Sequence, residues 1–149
     1  MHKINFNFID TYKKKDGLID GGLRKFTKKK KPLFSIITVN LNDDIESTIL
    51  SIKLQKKRDS IEHIIIDGGS RENYIKLLKH YNNDIDYWIS EKDKGIWHAS
   101  NKGLTLAKGK FIGLLDSGDV LSKDASIILN KLNKINPKAD CIIGSVMRE

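Results

Sequence analysis

The chain has 149 residues, 39% of them hydrophobic, with one cysteine and a formal net charge of +8. That length supports one domain with its own core, the lone Cys141 excludes an internal disulfide and suits a reducing compartment, and no apolar run is long enough to span a membrane. The charge sits at one end, because residues 1–31 carry ten Lys/Arg against three Asp/Glu while the rest carry 17 against 16, so the globular part is nearly neutral and no specific nucleic-acid partner is expected.

Residues 1–32 read as a basic N-terminal arm. Ile4, Phe6 and Phe8 alternate like a short strand, Lys13-Lys14-Lys15 and Lys28 to Lys31 flank Gly17, Gly21 and Gly22, and Pro32 closes the stretch. The arm is expected to be mostly flexible. Its lysines suit phosphates or peripheral contact with the anionic inner face of a membrane, or they form a solvated leader with no partner. With no signal-like apolar core at the N-terminus, a cytoplasmic location is expected.

A single domain is expected over residues 33–149. Phe34 to Asn40 is a β-branched apolar run and the first predicted strand. Asn42 or Asp43 is placed to cap the next helix, with Glu46 set for a capping-box contact. Ile45, Thr48, Ile49 and Ile52 fall on one helical face. Ile61 to Asp67 is the second strand, and the unbroken Ile64-Ile65-Ile66 suits a parallel strand covered on both faces. Ser70 is placed to cap a helix whose buried side is Tyr74, Leu77, Leu78 and Tyr81. Asp86 to Ser90 reads as a short third strand and Glu91 to Trp97 as a polar loop. A helix over Ile96 to Ala107 follows, where Ala99, Gly103 and Ala107 make a flat strip fit for close packing on a sheet. Phe111 to Leu115 is the fourth strand. Ser122 is placed to cap a helix with Ala125, Ile128, Leu129 and Leu132 inward, Asn136-Pro137 stops it, and Cys141 to Gly144 starts a fifth strand. This alternation predicts an α/β layered fold with a mostly parallel sheet and helices on both faces.

In such a sheet the turns after the strands share one edge, which is where ligands bind. Here they are Thr38-Val39-Asn40, Asp67-Gly68-Gly69 and Asp116-Ser117-Gly118-Asp119. Asp67 is suited to accept a nucleobase N–H, and the two glycines let a base or ribose approach the backbone. Asp116 and Asp119 can hold a hard divalent cation on a diphosphate, or form an ordinary solvated turn. Lys94 beside Gly95 can supply a cation. No glycine-rich loop of the Walker or dinucleotide type is present, which argues against an ordinary Rossmann dehydrogenase.

Pro32 to Asn40, Ile64 to Ser70, Ser90-Glu-Lys-Asp-Lys-Gly-Ile-Trp-His-Ala-Ser-Asn-Lys-Gly103 and Gly109-Lys-Phe-Ile-Gly-Leu-Leu-Asp-Ser-Gly-Asp119 resemble family 2 glycosyltransferases of the GT-A fold, in particular bacterial polysaccharide-synthesis enzymes. The resemblance covers roughly residues 20–149. It implies inverting transfer from a nucleotide-diphosphate sugar, expected to be a UDP-sugar, to a glycan or lipid-linked acceptor. By the same resemblance Thr38, Val39 and Asn40 bound the base pocket and Asp67 hydrogen-bonds the base. Lys94, Gly95 and Asn101 lie near the ribose, diphosphate or sugar, and Asp116 with Asp119 holds Mg²⁺ or Mn²⁺. Members often carry an acid where Gly118 stands and an aspartate where His98 stands. His98 is either a sugar contact or a partly exposed polar residue, and Trp97 either a sugar-stacking ring or a packed core aromatic. The family's catalytic base and acceptor site come later, so the base is expected beyond residue 149 and the chain reads as the donor-binding half. The competing expectation is a fragment that binds the nucleotide sugar without transferring it.

Overall fold

The computed structural model describes residues 17–26 and 31–135. Its elements are β1 (Ile19–Gly21), β2 (Phe34–Asn40), α1 (Ile45–Lys53), β3 (Ile61–Asp67), α2 (Glu72–His80), β4 (Tyr87–Ser90), α3 (Ile96–Leu106), β5 (Phe111–Leu114) and α4 (Ala125–Ile135). They form a five-stranded sheet ordered β1-β4-β3-β2-β5. Four strands run parallel, and only β1 is antiparallel, on β4.

Hydrophobic pattern explains the layering. All seven residues of β3 are buried, as the continuous isoleucine run requires of a central strand. Alternate side chains leave the sheet on opposite faces. Ile65 and Trp88 meet Ile45 and Ile49 of α1 and Ile75 and Leu78 of α2, whereas Ile37, Ile64, Ile66 and Ile89 face Ala99 of α3. α3 lies especially close. A Cβ on Gly103 would stand 2.3 Å from the Ile37 side chain, so the small-residue strip does what its spacing predicts.

Several expectations need correction. Ile19–Gly21, inside the stretch read as a flexible arm, is an edge strand, and the turn Leu23–Lys25 after it is fastened to the sheet. Arg24 pairs with the buried Glu62, donates to Leu106 O at 2.8 Å and lies 5.3 Å from the Tyr87 ring centre. Three residues are too few for periodicity to register, and Arg24's partner is distant in sequence. α1 is capped by Asp44, which accepts the Ser47 N–H, not by Asn42 or Asp43. Arg71, not Ser70, occupies the N-cap position of α2, because Ser70's hydroxyl is committed elsewhere. Ile75 replaces Tyr74 on the buried side of α2. On α4 only Ser126 is fully buried, while Ile128 and Leu132 are exposed. This helix docks on the end of α1 through Ser126, which bonds Gln55 and Lys57. The strand at Ile4–Phe8, the lysine runs at 13–15 and 28–30, Pro137 and the strand expected from Cys141 lie outside the described residues.

Candidate functional site

The parallel register brings the ends of β2, β3 and β4 level, with Asn40 opposite Asp67 and Asp67 opposite Ser90. Asp67 is fully buried there. One carboxylate oxygen accepts from Asn40 Nδ2 at 2.7 Å and from the Ser70 hydroxyl. The other accepts from Ser90 Oγ at 2.6 Å, Ser70 N at 2.9 Å and Gly69 N at 3.2 Å. A carboxylate offers about four lone-pair sites, so these five donors saturate it. Asp67, expected to accept a base N–H, thus ties the ends of β2 and β4 to the loop after β3 and lies outside the lining of the cleft described next.

Asn40 extends this network to the acidic turn. Its Oδ1 accepts from Ser117 Oγ at 3.0 Å, and the same hydroxyl lies 2.9 Å from Val39 O. Ser70 Oγ also accepts the Asn42 N–H at 2.8 Å, and Asn42 Oδ1 accepts the Arg71 N–H at 2.8 Å. Asn42 holds a left-handed φ of 56°, a conformation asparagine tolerates when its amide bonds locally.

Above this network opens a cleft of about 330 Å³. Of the predicted residues, Val39, Asn40, Gly95 and Asp116 line it together. Four others do not. Thr38 is buried on the α1/α2 face, its hydroxyl 3.1 Å from His63 Nε2. Lys94, Asn101 and Asp119 are exposed and outside the lining. The cleft also takes Leu41, Asp43, Asp93, Ile96, Ala99 and Ser117. Asp93 carried a readable signal: it stands two residues before Gly95 and accepts that residue's N–H at 2.8 Å, closing the loop ahead of α3. Trp97, 78% exposed beside Ile96, is no core aromatic. His98 is half-buried, with Nδ1 3.4 Å from Lys94 N.

The acidic turn is closed by Asp119 N donating to Asp116 O at 3.1 Å, with Gly118 at φ +87° in its third position. That position of a type II turn demands positive φ, which accounts for glycine there. Asp116 is exposed in the cleft, and its carboxylate has no hydrogen bond or ion pair among the described residues. No group of three potential ligands converges among the described residues. One free carboxylate in a cleft with further acids fits Mg²⁺ or Mn²⁺, which bind through one or two carboxylates and complete their shells with water and phosphate oxygens. Such a cation would neutralise charge developing on a departing diphosphate.

Lys102 of α3 forms a buried ion pair of 2.6 Å with Glu91, fastening the loop that carries Asp93. Below the cleft His63 is held neutral. Burial first, and Arg58 second, push its imidazole down to about 3 against a smaller opposing pull from Asp86.

The family described as Glycosyl transferase family 2 matches residues 34–149. An uncharacterized glycosyltransferase of Mycobacterium tuberculosis is 38% identical over 93 residues, which is 61% of this chain and 36% of that protein. The chondroitin synthase of Escherichia coli is 39% identical over 103 residues, 66% of this chain and 15% of that protein. The chain thus spans about a third or less of the length of these relatives. Among solved structures, S. aureus TarS in complex with UDP superposes with a TM-score of 0.61 at 19% identity, covering 70% of this chain and 32% of that one; at that identity the likeness is one of fold. The chain belongs to glycosyl transferase family 2.

Proposed function

We propose that this family 2 domain binds a UDP-sugar in the cleft at the ends of β2 and β5, as the donor-side half of an inverting glycosyltransferase that builds a surface polysaccharide. The observation that carries the reading is the unpaired Asp116 carboxylate facing a cleft walled by Val39, Asn40, Gly95 and Ser117. Val39 and Asn40 bound the base end. Gly95, with Lys94 just before it and Asn101 on α3, borders the sugar and diphosphate. Asp116, joined by Asp119 across the turn, takes Mg²⁺ or Mn²⁺ when it is bound. Asp67 contributes by holding Asn40 and Ser70 in place. The acceptor is a glycan or lipid-linked glycan, and the base that removes its proton is assigned beyond residue 149. Among the described residues no helix is long and apolar enough to cross a membrane. A cytoplasmic site of action, with peripheral contact of the lysine-rich arm at the inner membrane face, rests on charge alone.

Calorimetric titration with UDP and UDP-sugars, with and without Mn²⁺, tests the reading. Metal-dependent binding that Asp116→Ala abolishes is expected. Absence of binding under both conditions, or equal binding by Asp116→Ala, overturns it. The alternative is a domain that holds the nucleotide sugar without transferring it. Binding with no UDP release in the presence of acceptor glycans selects that one.

A further inference from the structure

Polar side chains on α1 and just past its end hold the acidic turn from behind. Thr48 and Ser51 stand one helical turn apart on the same side, and Gln55 follows the Leu54 C-cap. Thr48, fully buried, donates its hydroxyl to Asp119 O at 2.8 Å and accepts the Gly118 N–H at 3.1 Å. Ser51 Oγ accepts the Leu121 N–H at 3.0 Å. Gln55, also buried, donates to Ser122 O at 2.8 Å and accepts the Ser126 N–H at 3.0 Å. Residues 118–126 are thus strung along α1 by their backbone. With Ser117 bonded to Val39 and Asn40, the turn is held at both ends, and the Asp116 carboxylate makes no hydrogen bond or ion pair among the described residues.

We infer that Thr48 is a positioning residue for the acidic turn: its buried hydroxyl sets the backbone at Gly118 and Asp119 and so fixes how Asp116 and Asp119 present to a divalent cation. The inference rests on the proposed reading of the cleft and deepens it. A β-branched residue on a buried helix face is ordinary packing, but here both hydrogen-bonding capacities of the hydroxyl are spent on one turn. Thr48 is fully buried, so a turn that moved off it would leave its hydroxyl unpaired in the interior, and the turn has little freedom to do so. The oxygens that meet the cation are then preorganised before it arrives.

Thr48→Val keeps the shape and removes both bonds, whereas Thr48→Ser keeps the hydroxyl. Three readouts apply: amide hydrogen exchange at Gly118 in metal-free protein, Mn²⁺ binding by electron paramagnetic resonance with UDP present, and uridine affinity without metal. Thr48→Val is expected to lose Gly118 protection and to weaken Mn²⁺-dependent UDP binding by about tenfold, with uridine affinity unchanged. Thr48→Ser is expected to restore both within about twofold. Ser51→Ala, which removes the Leu121 N–H bond and a donation to Thr48 O but leaves the Thr48 hydroxyl in place, is expected to show a smaller loss and serves if the valine variant is poorly folded. Unchanged Mn²⁺ binding or retained Gly118 protection in Thr48→Val overturns the inference alone, as does equal weakening of metal-free uridine binding. A parent chain that binds no UDP with Mn²⁺ overturns it together with the functional reading.

Discussion

Glu62 and Asp67 stand at opposite ends of β3, and both are buried, yet they are satisfied in different ways. Glu62, at the N-terminal end, faces a cation: Arg24 pairs with it, while Ser35 Oγ at 2.6 Å and Lys108 N at 2.9 Å complete its shell. Asp67, beside the cleft, takes only neutral donors from the loops after β2, β3 and β4. The first arrangement attaches a segment from outside the central sheet. The second draws the rim of the cleft together through neutral donors alone. A buried carboxylate thus serves as a fastener at one end of the strand and as an organiser at the other.

Asp67→Ala should produce the largest loss, about 4 kcal/mol by urea unfolding, because five donors lose their acceptor, those of Asn40 and Ser90 in the interior. The same change should abolish nucleotide binding, because Asp67 holds Asn40 at the cleft. Arg24→Met should come next, at about 2–3 kcal/mol, since Glu62 loses its cation but keeps two donors. Limited proteolysis between Phe26 and Leu33 should accelerate in parallel. If Arg24→Met destabilised more than Asp67→Ala, the contrast between the two ends would be broken.

Acid should act through His63, next to Glu62 on the same strand. Its folded pKa, lowered to about 3 against 6.5 for the free side chain, means the unfolded chain binds the proton more readily. The stabilisation is complete above pH 6.5 and is lost as pH falls toward 3, at about 1.4 kcal/mol per pH unit. Between pH 6.5 and 5 unfolding free energy should drop by about 2 kcal/mol, and His63→Gln should flatten that slope. Asp116→Ala should have the smallest effect on stability, within about 0.5 kcal/mol for an exposed side chain. It should nonetheless remove Mn²⁺ dependence from UDP binding, separating the ligand-facing acid from the structural ones.

Much of this arrangement was legible in the chain. The isoleucine runs announced β2 and β3, the i, i+3, i+4 spacing announced α1, the small-residue strip announced how α3 would lie, and the turn after β5 announced Asp116. Val39, Asn40 and Gly95 also reached the cleft as their order along the chain implied. Burial leaves a periodic trace in the sequence because each residue's own polarity records which face it occupies. Hydrogen-bond partnership leaves no such trace. Whether Asp67 is open to a ligand, whether Thr48 packs passively or grips a turn some seventy residues away, and whether Arg24 drifts in an arm or reaches Glu62 depend on which groups the sheet register brings within 3 Å or so of one another. Those pairings form only when the strands are laid side by side, so the chain alone specified the layers and the acidic turn, and tertiary structure decided which acids are tied up and which remain free to meet a ligand.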